Sequence, residues 1–186
     1  MQNTRLLSFW RILYCAFLSL IATMAPSLGQ DPIRVLMLGD NGHHKPSDLY
    51  RAIREPLRQV GIELEYSDDI KKLLQPEVLA KADALLVYAN IDSIDPEQES
   101  ALLNYVENGG GFVPVHCASF CFQNSPKLIA LTGAQFKSHG GERFATEIVE
   151  PEHEIMKGFK GFESWDETYT HHKHNTVDRI VLETRR

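Results

Sequence analysis

A chain of 186 residues is long enough for one domain with a full core and too short for two comfortable ones. A hydrophobic content of 43% and a charged content of 24% exclude wholesale disorder. The net charge of −6, the pI near 5.7 and the lack of any basic stripe argue against nucleic acid or an anionic membrane surface as partner.

The first thirty residues, MQNTRLLSFWRILYCAFLSLIATMAPSLGQ, carry Arg5 and Arg11, then an apolar run over 12–25, then Ser27-Leu28-Gly29. That order of basic, apolar and small residues predicts a secretory signal over 1–29, cut after Gly29, with the mature domain over 30–186. The alternative is a membrane anchor, but the run falls short of the roughly 20 residues a span needs. Cleavage predicts export to the periplasm or the extracellular space, with no membrane attachment of the mature chain. It also removes Cys15 and both arginines, which takes the net charge from −6 to −8. Cys117 and Cys121 remain, four residues apart; on a helix they would share one face, which is poor geometry for a mutual disulfide.

From Asp31 the pattern alternates strand and helix. IRVLMLGD (33–40) is a short apolar run bounded by DNGHHKP, hence a buried strand and a loop. Ser47 can cap a helix over 48–60 that carries Leu49, Ile53, Leu57 and Val60 on one face and stops at Gly61, with Pro56 expected to kink or shorten it. IELEYS alternates as an edge strand does, 76–82 makes a short helix, and ADALLVYAN reads as a central strand. Asp95-Pro96-Glu97-Gln98 is a helix start with Pro at the first position and Gln at the third, and that helix ends at Gly109-Gly110-Gly111. GFVPVH follows as the fourth strand. Strands joined by helices of this size predict a parallel sheet covered on both faces, with ligands at the carboxyl ends of its strands. The residues there are 40–44, 90–93 and 116–119. Farther on, ERFATEIV and DRIVLETRR read as strands, HEIMKGF as a helical turn and SWDETYTHHKH as a polar, aromatic loop.

Eight histidines are many for this length. His43 and His44 follow the first strand and His116 ends the fourth, so both groups fall on one sheet edge. His139, His153, His171, His172 and His174 lie in the second half of the chain. Histidine with carboxylate suits a zinc-like divalent metal, but no HExxH or paired CxxC is present and no ligand set is singled out. Asp166 and Glu167, flanked by Trp165 and Tyr169, have the make-up of a sugar site, where a ring stacks on the sugar and acids hold hydroxyls or move protons. A solvated loop with packed aromatics reads equally well from composition.

IRVLMLGDNGHHKP, ALLNYVENGGGFVPVHCAS, TGAQFKSHG and PEHEIMKGFKGFESWDETY resemble, in order, successive motifs of the ThuA-like (trehalose utilisation) family of the class I glutamine-amidotransferase-like superfamily. The resemblance covers 33 to about 169 and is most specific at its end, through Gly158, Phe159, Phe162, Asp166, Glu167 and Tyr169. It implies an α/β, flavodoxin-like or Rossmann-like three-layer sandwich with a mainly parallel sheet. It also sets the register of the strand-to-helix elbow. Amidotransferases centre a cysteine there, whereas the ThuA-like pattern has histidine, which is His116 in this chain; Cys117 lies one position beyond. Pro114 and Ala118 replace both flanking glycines, which leaves the tightness of the elbow open. Glu154 stands where the family usually has proline. The family normally continues past IVLETRR through another strand and a Gly-Arg-rich segment. Against the resemblance the sequence therefore reads as a C-terminal truncation or a divergent short form, either of which could leave the sheet incomplete.

Two functions follow as expectations. In the first, an exported protein acts on a trehalose-like or keto-disaccharide carbohydrate, with His116 and Glu167 as the proton-handling pair and His44, His139, Asp166 and Tyr169 positioning the sugar. The second is a non-catalytic carbohydrate-binding or interaction module of a larger exported protein. Glutamine amidotransfer would need a cysteine at the elbow centre and a downstream His-x-Glu dyad, and neither is present.

Overall fold

The structure, a computed structural model, describes residues 31–185; the expected leader at 1–29 lies outside the described residues. The unit that carries the fold begins at Ile33. Its first half is built on four parallel strands, β1 (Ile33–Leu38), β2 (Ile62–Ser67), β3 (Ala84–Val87) and β4 (Gly111–Pro114), in the order β2-β1-β3-β4. The apolar runs IRVLML and ALLV take the two central places, while the alternating IELEYS lies at the edge. This is an α/β layout whose order reverses between β1 and β3.

Helix α1 (Pro46–Gln59) covers one face of the sheet, where Tyr50 stacks on Tyr66 with ring centroids 5.4 Å apart. Leu36, Leu38, Leu85 and Val87 point to the other face. There they pack against Leu73 of α2 (Ile70–Leu73), Leu79 of α3 (Pro76–Leu79), Leu102 of α4 (Pro96–Glu107) and Leu128 of α5 (Pro126–Thr132). Each such leucine contributes about 1.5–3 kcal/mol by leaving water. The start of α4 is fixed as its sequence predicts, with Gln98 Oε1 accepting the Asp95 N–H at 3.2 Å. Helix α1 begins one residue earlier than its expected cap. Pro46 occupies the first turn, where its preset φ is favourable, and Ser47 is already helical. The helix also continues through Pro56 to Gln59 before Gly61 at φ 83° ends it. Ala52 and Pro56 are exposed, so the carbonyl that Pro56 leaves unpaired can turn to water. Helices α2 and α5 have no counterpart in the sequence reading. They are held by short-range caps, Asp69 accepting from the N–H groups of Lys71 and Lys72 and Ser125 Oγ from that of Leu128.

The second half forms a small antiparallel sheet of β5 (Gln135–Ile148), β6 (Glu163–His172) and β7 (Glu183–Arg185), ordered β6-β5-β7. Here the structure corrects three expectations. SWDETYTHHKH is not a loop, since residues 163–172 form β6 in register with β5. Its period of two is invisible to hydropathy because polar side chains occupy both faces. Strand β5 starts at Gln135 rather than Glu142. The strand expected from DRIVLETRR shrinks to three residues, with Ile180 and Val181 exposed (65% and 40%) outside any ladder. Among the described residues no helix is long and apolar enough to cross a membrane.

Candidate functional site

In an open parallel sheet the loops diverge where the strand order reverses and leave a crevice at the carboxyl ends. Here the order reverses between β1 and β3. Asp40, two residues past β1, links the loops that follow them. Its Oδ1 accepts the Gly42 N–H at 2.7 Å and its Oδ2 accepts the Asn90 N–H from beyond β3. The loop stays close to α1 because Gly39 has no side chain; a Cβ there would lie 2.5 Å from the Tyr66 ring and 2.7 Å from Pro46 Cβ. His44 follows on this loop.

The elbow after β4 supplies the second group. Val115 is extended, His116 turns to φ 49°, and the chain enters a 3₁₀ turn (His116–Phe120). The elbow is therefore tight even though Pro114 and Ala118 replace glycines. A positive φ in a non-glycine residue costs of order 1–3 kcal/mol and is retained where the surroundings impose it. One imposing contact is visible. Ser119 Oγ donates to the His116 carbonyl at 3.2 Å, and His171 Nε2 on β6 lies 3.2 Å from the same hydroxyl.

The hairpin supplies the rest. Cross-strand partners share a face, so the pairs His139–Tyr169 and Gly141–Glu167 present His139, Tyr169 and Glu167 together. Glu167 Oε2 lies 3.2 Å from His116 Nε2, and Glu167 Oε1 lies 3.8 Å from His139 Nε2. The Tyr169 ring sits 4.5 Å from that of His116 and is backed by Phe136 at 4.6 Å. The His44 ring meets His116 edge-on at 4.9 Å, and Tyr88 lies 5.9 Å from His44 and 6.2 Å from His116. One ligand atom from each of His44, His116 and Glu167 lies within 4.8 Å of the others.

Burial sets the electrostatics. It lowers the His44 pKa below the ordinary imidazole value, helped by the neighbouring His43 and His116. It raises the Tyr169 phenol strongly, reinforced by the Glu167 charge, so this group stays a neutral O–H donor. Tyr88 moves up for the same reason. Among the described residues Glu167 Oε2 is buried without a hydrogen bond even though His116 is within ion-pair distance: the imidazole is close but not aligned. Asn90 Oδ1, at the same sheet edge, is likewise buried and has no partner among the described residues. Catalytic hydrogen bonds are often misaligned until substrate enters.

Five of the six residues singled out from the sequence, His44, His116, His139, Glu167 and Tyr169, thus meet in one cluster. Asp166 is not among them: it alternates to the opposite face of β6, exposed, with Oδ1 accepting the Glu167 N–H at 2.8 Å. His153 accepts the Ile155 N–H and His174 lies on the His171 carbonyl, which gives both local structural roles. Sequence reasoning missed Tyr88, Phe136 and the His171–Ser119 tie. The first two look like core aromatics in the sequence, and the third spans two distant segments. Cys117 and Cys121 are buried and free, each thiol pushed up to about 12 by burial. Cys121 donates to the Ala89 carbonyl at 2.9 Å and accepts the Ile91 N–H at 3.3 Å, a packing role.

The structure resembles a ThuA-like protein from Bacteroides uniformis ATCC 8492, with a TM-score of 0.71 and 18% identity over 87% of this chain and 71% of that one. It resembles equally a ThuA-like protein from Parabacteroides merdae ATCC 43184, with a TM-score of 0.71 and 18% identity over 83% and 68% of the two chains. Likeness at this identity concerns the fold. No curated protein matches the chain. The family model for ThuA, described as trehalose utilisation, matches residues 34–186, from within β1 through the elbow and the hairpin. The chain belongs to the ThuA (trehalose utilisation) family.

Proposed function

We propose that this protein is an exported enzyme acting on a trehalose-like disaccharide or its keto derivative, with His116 and Glu167 dividing the acid and base work. The observation that carries this reading is the approach of Glu167 Oε2 to within 3.2 Å of the elbow histidine, at the switch point of the sheet. Side by side, an imidazole and a carboxylate can divide the work, one giving a proton to a departing glycosidic oxygen while the other takes one from a hydroxyl or an activated C–H. The neutral Tyr169 phenol and His44 imidazole offer directed hydrogen bonds to sugar hydroxyls, and His139 steadies the second carboxylate oxygen. The test is turnover of a panel of trehalose, keto-disaccharides and their monosaccharides by the wild-type protein and His116→Ala. The variant is expected to lose on the order of 10²–10⁴-fold in rate; unchanged turnover refutes the mechanism. Saturable sugar binding with no product over long incubation selects a binding module instead. Export is tested separately, by N-terminal sequencing of protein recovered outside the cytoplasm, with Gln30 as the expected first residue.

A second reading rests on the convergence of His44, His116 and Glu167, whose donor set suits a zinc-like divalent cation. Such an ion would polarise a sugar oxygen held against these residues. Elemental analysis of the purified full chain decides it. Substoichiometric metal together with turnover that survives a chelator removes this reading and leaves the proton-transfer one.

A further inference from the structure

The face of the hairpin that delivers Glu167 does not end there. Along β6 it runs Tyr169, Glu167, Trp165, paired across to His139, Gly141 and Arg143 on β5. Tyr169 and Glu167 belong to the elbow cluster. Trp165, one rung farther out, is 69% exposed. Its indole is not splayed at random. A Cβ placed on Gly141 would meet Trp165 Cζ2 at 3.1 Å and Cη2 at 3.3 Å. The ring therefore lies over Gly141, leaning along the strand toward Glu167, and it fits there because that position has no side chain. Rungs on one face are two residues apart, about 6.8 Å along an extended strand. Beside the indole, Arg143 is exposed, and among the described residues its guanidinium meets no carboxylate.

We infer that Trp165, seated over Gly141, is the stacking platform for the second ring of a disaccharide whose first ring occupies the His116–Glu167 cluster. This rests on the carbohydrate reading above and extends it to a two-ring ligand. An aromatic face beside a catalytic carboxylate is suited to the apolar C–H face of a pyranose, because it removes that face from water and leaves the equatorial hydroxyls pointing outward. The guanidinium of Arg143 supplies donors to those hydroxyls. Fixing the outer ring also holds the inter-ring oxygen against the proton-handling pair, so binding at the platform serves positioning as well as affinity. The platform favours disaccharides over monosaccharides.

The experiment measures binding of trehalose and its keto derivative, against glucose and keto-glucose, to the full chain by calorimetry and tryptophan fluorescence. Trp165 and Trp10 are the chain's two tryptophans, so Trp165→Phe provides the fluorescence blank. Trp165→Ala is expected to weaken disaccharide binding about tenfold and to leave monosaccharide binding within about twofold. Trp165→Phe should keep most of the affinity. Gly141→Val, which retains the indole but pushes it off its seat, should reproduce the loss seen in Trp165→Ala. If wild type binds both sugar classes and Trp165→Ala binds the disaccharide equally well, the platform is wrong and the carbohydrate reading stands. Equal loss for both sugar classes also overturns the platform, since Trp165 then acts on the site as a whole. If wild type binds neither class, both readings fall.

Discussion

Glu167→Gln removes one charge from the cluster and almost nothing else. The side chains are isosteric, so the β5–β6 register and the packing of Tyr169 should persist. What disappears is a carboxylate 3.2 Å from His116 Nε2 and 3.8 Å from His139 Nε2. Coulomb's law at 3.2 Å gives about 5 kcal/mol at an effective dielectric of 20 and about 1.3 kcal/mol in water. The His116 and Glu167 side chains are 24% and 30% exposed, which places the pair between these limits. A loss of about 3 kcal/mol follows if the charge acts in the transition state, or about 10²-fold in rate. The assay is kcat and KM on the best-turned-over disaccharide of the panel, with circular dichroism to check the fold. A kcat lower by about 10²-fold with KM within about threefold supports the proton-handling role. A kcat loss under about fivefold, or a loss carried wholly by KM, refutes it, because Glu167 would then bind ground and transition states alike.

Gly39→Ala forces a Cβ to within 2.5 Å of Tyr66 and 2.7 Å of Pro46, and Tyr66 is held by its stack on Tyr50. Overpacking of this kind costs about 1–3 kcal/mol, read by calorimetry as a melting temperature lower by roughly 2–4 °C per kcal/mol; an unchanged melt shows that the loop after β1 is not packed as described. Burial lowers the pKa values of both His44 and His171 in the folded chain. The unfolded chain then binds more protons as pH drops below about 6.5, so stability present above that value is lost down to the folded pKa values and levels off below them. Urea midpoints should fall across that window in wild type and change less in the double variant His44→Gln/His171→Gln; parallel slopes would contradict the assignment. Cys117 and Cys121, with thiols near 12, should resist alkylation in native protein at about pH 8 and react fully in denaturant, as followed by peptide mass mapping. Rapid native labelling of either would show that the elbow opens.

Local chemistry carried much of this architecture in plain view. The runs IRVLML and ALLV, the alternation of IELEYS and the signal Asp95-Pro96-Glu97-Gln98 each state their place without help from distant residues, because burial on both faces, burial on one face and helix capping each leave a short-range pattern. The order of those elements implied a parallel sheet with its site at the carboxyl edge, and the motif resemblance put His116, not Cys117, at the elbow centre. Strand β6 was illegible for the complementary reason. Trp165, Glu167, Tyr169 and His171 face the site while Asp166, Thr168 and Thr170 face away, and no hydropathy contrast separates the two sets. Folding alone decided that this polar strand pairs with β5, that Glu167 reaches His116 and that Tyr88 and Phe136 close around them. The energies involved are those of long-range packing and electrostatics, which depend on distances between segments and leave no trace in local sequence. The chain order and the motif resemblance determined which edge of the sheet holds the candidate site and named five of its side chains. Only the tertiary structure brought Tyr88 and Phe136 to them and set the distances, because those depend on how distant segments pack.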